Sequence, residues 1–271
     1  MGVFFELKSG GSLYYEVFGS QGDWIVFLNG IMMSVPSWKD FTGRVSNHFR
    51  LLLVDFQDQG RSSKHVESYR CEVHVPDLVE LFDHLGIERA HMMGVSYGGQ
   101  VALEFCREHQ HRLRTLELVT VLPKVSNYLV AVGEGWEVAA SLNDGARFFS
   151  LTIPSIYSDT FYSQRLEWLK NRQKAFRQAL TPEWFQAFIR LSQSANQFNC
   201  EDVLPTIRIP ALILCAEKDI LTPAKEMKEM AKLIPNATVL EIPDAGHAAF
   251  LEKPEAFLTA IIGFIKSRNE E

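Results

Sequence analysis

Cysteine is scarce and scattered in this chain. Its 271 residues hold four, Cys71, Cys106, Cys200 and Cys215. No two form a C-x-x-C pair, which argues against zinc-ribbon and thioredoxin-like sites. Cys106 and Cys215 lie in apolar surroundings and read as small core residues, a usage that suits a reducing compartment. Positive charge is also short: 27 Lys and Arg face 33 Asp and Glu, for a net charge of -6. No basic stripe runs along the chain, so nucleic acid is not an expected partner. No uninterrupted apolar run approaches the length of a membrane span. Glu6 and Lys8 interrupt the N-terminal stretch before a signal-like apolar segment can form. Met1-Gly2 is followed by Glu6 where a myristoylation signal needs Ser or Thr. Internal repeats and low-complexity tracts are missing too. The expectation is a cytoplasmic protein with no membrane association. What is present, 46% hydrophobic and 22% charged residues, is ordinary globular composition with ample material for a large core.

Taken in order, the chain alternates between two periodicities. Phe4 to Leu7 and Leu13 to Phe18, separated by Ser9-Gly10-Gly11-Ser12, predict a hairpin. Trp24 to Leu28 is a continuous apolar run, as expected of a buried strand. A short helix capped by Ser37 should reach about Val45, and Phe49 to Val54 is a further strand. Val75, Leu78, Val79, Phe82 and Leu85 recur at three- and four-residue spacings and predict a helix over 73–85. Ala90 to Met93 and Leu113 to Val121 are strands flanking another helix. The alternation lapses between Pro123 and Pro205, where helical stretches dense in aromatics take over. Asp159 is read there as a helix cap, with Tyr162, Leu166, Leu169, Phe176 and Leu180 on one face. Thr181-Pro182 opens another helix. Alternation resumes with the strand Ala211 to Ala216, a helix over 223–233, the strand Ala237 to Ile242 and a closing helix over 248–265. The predicted class is α/β: a doubly wound, mostly parallel, eight-stranded sheet. A core made of 1–122 and 206–271 would carry a helical cap inserted at 123–205.

Gly94-Val95-Ser96-Tyr97-Gly98 stands at the turn between the strand ending at Met93 and the helix that follows. A G-x-S-x-G sequence in that context is a nucleophile elbow. Small residues two positions either side let strand and helix approach, and the hydroxyl of Ser96 stands at the positive end of a helix.

A serine hydroxyl needs a base, and the base needs an orienting group. In a doubly wound sheet such groups stand at the carboxyl ends of strands. Among eight histidines, His48, His65, His74 and His84 precede the elbow in polar or helical contexts. His109 and His111 lie at an exposed helix end, and His91 opens a buried strand. His247 alone follows a strand directly, in Pro243-Asp244-Ala245-Gly246-His247, and is the candidate base. Asp219, after the strand 211–216, is the favoured acid. Glu217 is its nearest competitor, whereas Asp244 sits too close in sequence to His247 to reach the ring.

The order Ser96, Asp219, His247 after an elbow resembles the α/β-hydrolase fold family, and the resemblance extends over nearly the whole chain. Asn29-Gly30 resembles the family's His-Gly turn. Asp55 through Ser62 resembles its D-x-x-G-x-G-x-S loop, and Ile209-Pro210-Ala211-Leu212 and Gly246-His247 also match. Two departures stand out. Asn29 replaces the common histidine, as in some lactonases of the family, and Gln57-Asp58-Gln59 replaces an Arg-Gly-aromatic run.

The resemblance implies a serine hydrolase that cleaves a small to medium, neutral, partly apolar ester through an acyl-enzyme. Lactone opening, carbon–carbon bond hydrolysis or a slow ligand receptor are the alternatives on the same machinery. Dehalogenases and epoxide hydrolases of this fold use a carboxylate at the elbow, and Ser96 argues against both. The backbone N–H groups of Tyr97 and, by resemblance, Ile31 would bind the oxyanion. Met32, Trp136, Phe149 and Trp184 are candidate pocket residues, drawn from a wider aromatic set that includes Phe148, Phe161, Trp168 and Phe188. No metal or organic cofactor is required. The expected partner is a small-molecule substrate, and the expected state is a monomer or homodimer.

Overall fold

The structure is a computed structural model and describes residues 2–269. Strands β1 (Val3–Glu6) and β2 (Ser12–Phe18) form the hairpin, followed by β3 (Trp24–Leu28). A 3₁₀ turn over Val35–Trp38 leads into α1 (Lys39–Ser46) and β4 (Arg50–Val54). Next come α2 (His74–His84), β5 (Ala90–Val95), α3 (Tyr97–His109) and β6 (Leu113–Val119). Five helices separate β6 from β7: α4 (Asn127–Ser141), α5 (Gly145–Thr152), α6 (Asp159–Gln164), α7 (Leu166–Ala179) and α8 (Pro182–Ala195). The chain closes with β7 (Ala211–Ala216), α9 (Ala224–Ala231), β8 (Ala237–Ile242), α10 (Ala249–Glu252) and α11 (Pro254–Asn269).

The eight strands form one sheet in the order β1-β2-β4-β3-β5-β6-β7-β8. Only the β1–β2 and β2–β4 pairings are antiparallel, so the sheet is parallel from β4 to β8. Leu28 pairs with Gly94 and Gly94 with Leu118, which sets the carboxyl ends of β3, β5 and β6 side by side.

Strand alternation divides the core between the two faces. Val26, Leu28, Leu52, Val54, Ala211 and Ile213 join one apolar cluster with α2, α3 and α9. Ile25, Phe27, Leu51, Leu53, Leu212 and Leu214 join the other with α1 and α11. Trp38, fully buried on the second face, packs against Phe27, Phe41 and Phe250.

Several element ends differ from the sequence-based expectations, each for a local reason. Ser37 does not cap α1; it is the third residue of the 3₁₀ turn and shares a capping box with Ser34. Ser158 caps α6 by accepting from Phe161 N–H, which leaves Asp159 as the first helical residue. The face from Tyr162 to Leu180 is split at Arg165, whose φ of -116° and ψ of 27° leave the helical region. Pro254 divides the closing helix, because the residue before a proline avoids the helical region; Lys253 has φ -133° and ψ 60°. β6 stops at Val119 because Thr120 takes a φ of 45°. Thr181 caps α8 through a hydrogen bond from Trp184 N–H, as the Thr-Pro pair predicts.

Candidate active site

Ser96 sits between β5 and α3 with φ 52° and ψ -115°, a positive φ that non-glycine residues rarely adopt. Two glycines make this turn possible. A Cβ on Gly94 would collide with the Gly98 carbonyl, and one on Gly98 with the Leu28 carbonyl at the end of β3. Gly99 N–H and Gln100 N–H close the first turn onto Ser96 O at 2.8 and 3.1 Å.

Ser96 Oγ lies 2.9 Å from His247 Nε2, and His247 Nδ1 lies 2.8 Å from Asp219 Oδ2. The three side chains form one hydrogen-bonded line across the carboxyl edge of the sheet. Asp219, 5% exposed, accepts further bonds from Leu221 N–H at 2.8 Å, Thr222 N–H at 3.0 Å and the Thr222 hydroxyl at 2.6 Å. Burial pushes its pKa up, but His247 and the Thr222 bonds outweigh burial and hold the carboxyl below its ordinary value. It is therefore an anion facing an imidazole.

The competing carboxylates are engaged elsewhere. Glu217 accepts from Asp244 N–H at 2.8 Å, and Asp244 pairs with Lys218 at 2.8 Å. The other histidines lie outside this line. His74 and His91 are fully buried, and burial pushes them down to about 3 and about 4.

Tyr97 is the first residue of α3, a position whose N–H has no acceptor within the helix. Its phenol is anchored below the site, 3.0 Å from His74 Nε2 and 2.8 Å from Ser194 Oγ of α8. Ile31 follows Gly30 in the loop after β3. Ile31, Ser96, Tyr97 and His247 share one cavity of about 90 Å³ between the sheet edge and helices α4 and α8. Val121, Leu122, Val125, Leu129 and Trp136 form its apolar wall, and no Lys, Arg, Asp or Glu lines it.

Of the four pocket candidates only Trp136 lines this cavity. Trp184 instead stacks on Phe188 at 5.4 Å, in a cluster with Phe148 and Phe185. Phe149 packs edge-on to Phe176 of α7 at 5.1 Å, and Met32 packs among the hydrophobic clusters. Trp184 and Phe188 of α8 and Phe148 of α5 thus pack on one another, while Phe149 joins the cluster on the sheet face.

Sequence reasoning missed four residues around the cavity. Gln100 stands one helical turn after Ser96 on the same face, and Thr120 follows the strand beside the elbow strand; both line the cavity. Asp55 and Gln59 support the loop that carries Ile31: Asp55 Oδ1 accepts from Val35 N–H at 2.7 Å, and Gln59 Nε2 donates to Gly30 O at 3.0 Å. For Gln59 the departure from the family pattern was the available signal.

A family model described as alpha/beta hydrolase fold matches residues 23–254. The chain belongs to the α/β-hydrolase fold family. This α/β-hydrolase is 36% identical to MGS-M2, an alpha/beta hydrolase enzyme from a Medee basin deep-sea metagenome library, with a TM-score of 0.94 over 97% of both chains. It is 24% identical over 246 residues to 3-oxoadipate enol-lactonase 1 of Acinetobacter baylyi, covering 90% of this chain and 88% of that one. A thermophilic esterase from Thermogutta terrifontis shares the fold at 24% identity, with a TM-score of 0.85 over 99% of each chain. Like these relatives this chain is a hydrolase-fold enzyme. Among the described residues no helix is long and apolar enough to cross a membrane.

Proposed function

We propose that this α/β-hydrolase is a serine esterase for short, neutral, partly apolar carboxylic esters. The observation that carries the reading is the line Ser96–His247–Asp219, at 2.9 and 2.8 Å, opening into a cavity bordered by Ile31 and Tyr97. His247 Nε2 takes the proton from Ser96 Oγ as that oxygen attacks the carbonyl carbon. Asp219 fixes the ring tautomer and stabilises the imidazolium. The Ile31 and Tyr97 N–H groups receive the oxyanion; removing one such donor typically costs about 2.7–4 kcal/mol of barrier. His247 then returns its proton to the departing alkoxide, leaving an acyl-Ser96 ester. Water, deprotonated by His247, attacks this ester, and Ser96 Oγ recovers the proton as the acid leaves.

Cavity volume supports a short acyl group. At about 90 Å³ it is smaller than the 150 Å³ cavity that takes benzene. The uncharged wall offers no cation to a substrate carboxylate. In this reading residues 123–205 act as a cap on a core of 1–122 and 206–271. The four cysteines, all free and buried, suit a reducing cytoplasm, with the enzyme a monomer or homodimer. Lactone opening on the same triad is the second reading, favoured by the likeness to an enol-lactonase.

The deciding experiment is intact mass after treatment with a fluorophosphonate. A single adduct on the wild type and none on Ser96→Ala is expected. Ser96→Ala should also lower kcat for butyrate esters on the order of 10⁶-fold. A folded wild type that takes no adduct would overturn the assignment.

A further inference from the structure

His247 stands in irregular backbone, residues 243–248, between the end of β8 at Ile242 and the start of α10 at Ala249. Such a stretch is held only where its polar groups find partners. The residues before the histidine are tied to the loop after β7. Asp244 N–H donates to Glu217 Oε2 and Lys218 N–H donates to Ala245 O, both at 2.8 Å. The two residues that flank the histidine are tied elsewhere. Ala248 N–H donates to Ile156 O at 3.2 Å, and Gly246 N–H donates to Glu252 Oε1 at 3.1 Å. Glu252 is gripped by the same segment as Ala248. Its Oε1 also accepts from Ser158 N–H at 2.8 Å, and its Oε2 accepts from the Ser158 hydroxyl at 2.6 Å. Both sides of His247 thus run to residues 156–158, one directly and one through Glu252. Gly246 fits this clasp because it has no side chain. A Cβ there would stand 2.5 Å from Ser158 N, 2.8 Å from Tyr157 C and 2.9 Å from Glu252 Oε1. Its φ is not positive, so close approach, and not backbone conformation, is what requires glycine.

We propose that Glu252 and Ser158 are positioning residues for His247, so that a segment lying between β6 and β7, outside the sheet, aims the base. This rests on the hydrolase reading above and extends it to how the base is held.

The imidazole has to meet two partners at once, Ser96 Oγ at 2.9 Å from Nε2 and Asp219 Oδ2 at 2.8 Å from Nδ1. Asp219 orients the ring, but the backbone from which the ring projects is held by the bonds of Gly246 and Ala248. A misplacement of about 1 Å can cost on the order of 100-fold in rate. Glu252 suits the task because a carboxylate only accepts and has room for several donors, and three donors meet it here. Glutamine in its place keeps one carbonyl oxygen for the Gly246 and Ser158 N–H groups. Methionine, of similar length, offers no oxygen. A Cβ on Gly246 attacks the same contact from the other side and leaves Glu252 and Ser158 unchanged.

The test measures kcat and KM for methyl butyrate on wild type, Glu252→Gln, Glu252→Met and Gly246→Ala, with urea unfolding alongside to fix the folded fraction. Glu252→Met and Gly246→Ala are expected to lower kcat by about 10- to 100-fold with KM little changed. Glu252→Gln should restore most of that loss. If Glu252→Met does not fold, Gly246→Ala carries the test. A clasp that only stabilised the fold would lower the unfolding midpoint and leave kcat of the folded enzyme where it was. Nitrogen NMR on histidine-labelled protein adds a readout independent of turnover. The Nδ1 signal of His247, assigned by its loss in His247→Gln, should be alike in wild type and Glu252→Gln and should move in Glu252→Met. An unchanged kcat in folded Glu252→Met, or a loss in Glu252→Gln equal to that in Glu252→Met, would overturn the clasp while leaving the esterase intact. No turnover of any ester or lactone by the wild type, with no fluorophosphonate adduct on Ser96, would instead remove the hydrolase reading. The His247 signal would then decide the hold on its own: moved in Glu252→Met it stands, unmoved it falls.

Discussion

At the scale of single residues, two departures from the family pattern turn out to be partners. Asn29 Oδ1 accepts from Trp38 Nε1–H at 2.7 Å, and Asn29 Nδ2 donates to Val54 O at 2.9 Å and to Gln59 Oε1 at 3.2 Å. Gln59 then donates through Nε2 to Gly30 O at 3.0 Å. That oxygen belongs to the same peptide group as Ile31 N–H. In a trans peptide the C=O and N–H point in opposite directions, so a hold on the carbonyl also fixes the direction of the N–H proposed to bind the oxyanion. Gln59→Leu is therefore expected to lower kcat on the order of 10-fold with little change in KM, less than the 10²–10³-fold loss on deleting a donor outright. The stability cost should be about 1 kcal/mol, because Gly30 O keeps its bond from Met33 N–H at 3.0 Å. Steady-state kinetics beside urea unfolding separates the two effects; a change in KM alone would contradict the positioning role. That Ser96, His247 and Asp219 would meet was legible in the sequence, because reactive residue types at strand ends announce themselves. The place of Gln59 was not, since an uncharged side chain is defined by the direction of nearby backbone groups such as Gly30 O.

Among the elements, the strands were legible because period-two burial has to match both sheet faces at once. The helices between β6 and β7 were legible only as helices, because their apolar faces serve one another and nothing local says which neighbour each will meet. Polar ties fix their position over the sheet edge. Arg190 of α8 donates to Asp58 at 3.0 and 2.7 Å, Ser194 of the same helix meets the Tyr97 phenol, and Ser158 donates to Glu252 through its N–H at 2.8 Å and its hydroxyl at 2.6 Å. The Asp58 side chain is fully buried and that of Arg190 is 18% exposed, so removing the cation strands a buried anion. Arg190→Met is expected to cost about 3 kcal/mol, the lower end for a broken buried pair, because Lys64 still acts on Asp58. Asp58→Asn combined with Arg190→Met should recover more than half of that loss in urea unfolding, since neither charge of the pair then remains. If the double variant is no more stable than Arg190→Met, the pair is not what fixes α8.

Across the whole molecule, the chemistry gathers at the carboxyl edge of the sheet, while a separate buried polar group lies within the sheet itself. Glu117 of β6 is fully buried, and its carboxyl oxygen Oε1 accepts from the Thr115 hydroxyl, which in turn lies 2.7 Å from His91 Nδ1 of β5. Burial pushes Glu117 up to about 8 from an ordinary 4.5, and pushes His91 down to about 4 from 6.5. Both groups are thus held neutral inside the fold, with opposite consequences for stability. The raised carboxyl favours folding fully below pH 4.5, and that contribution is lost as the pH climbs through 8. The depressed imidazole contributes fully above pH 6.5, and its contribution is lost as the pH falls through 4. Replacing Glu117 by Gln removes only the first dependence. Relative to the wild type, Glu117→Gln should gain stability steadily between pH 4.5 and 8 and hold a constant advantage above pH 8, with the acid limb set by His91 unchanged. Urea unfolding at half-unit pH intervals reads this difference directly; parallel curves for the two proteins would mean that Glu117 ionises in the fold as it does in the unfolded chain. Because Glu117 does not touch the cavity beside Ser96, the same variant should leave the pH dependence of kcat where it was, separating the acid–base behaviour that holds the sheet together from the acid–base behaviour proposed at its edge.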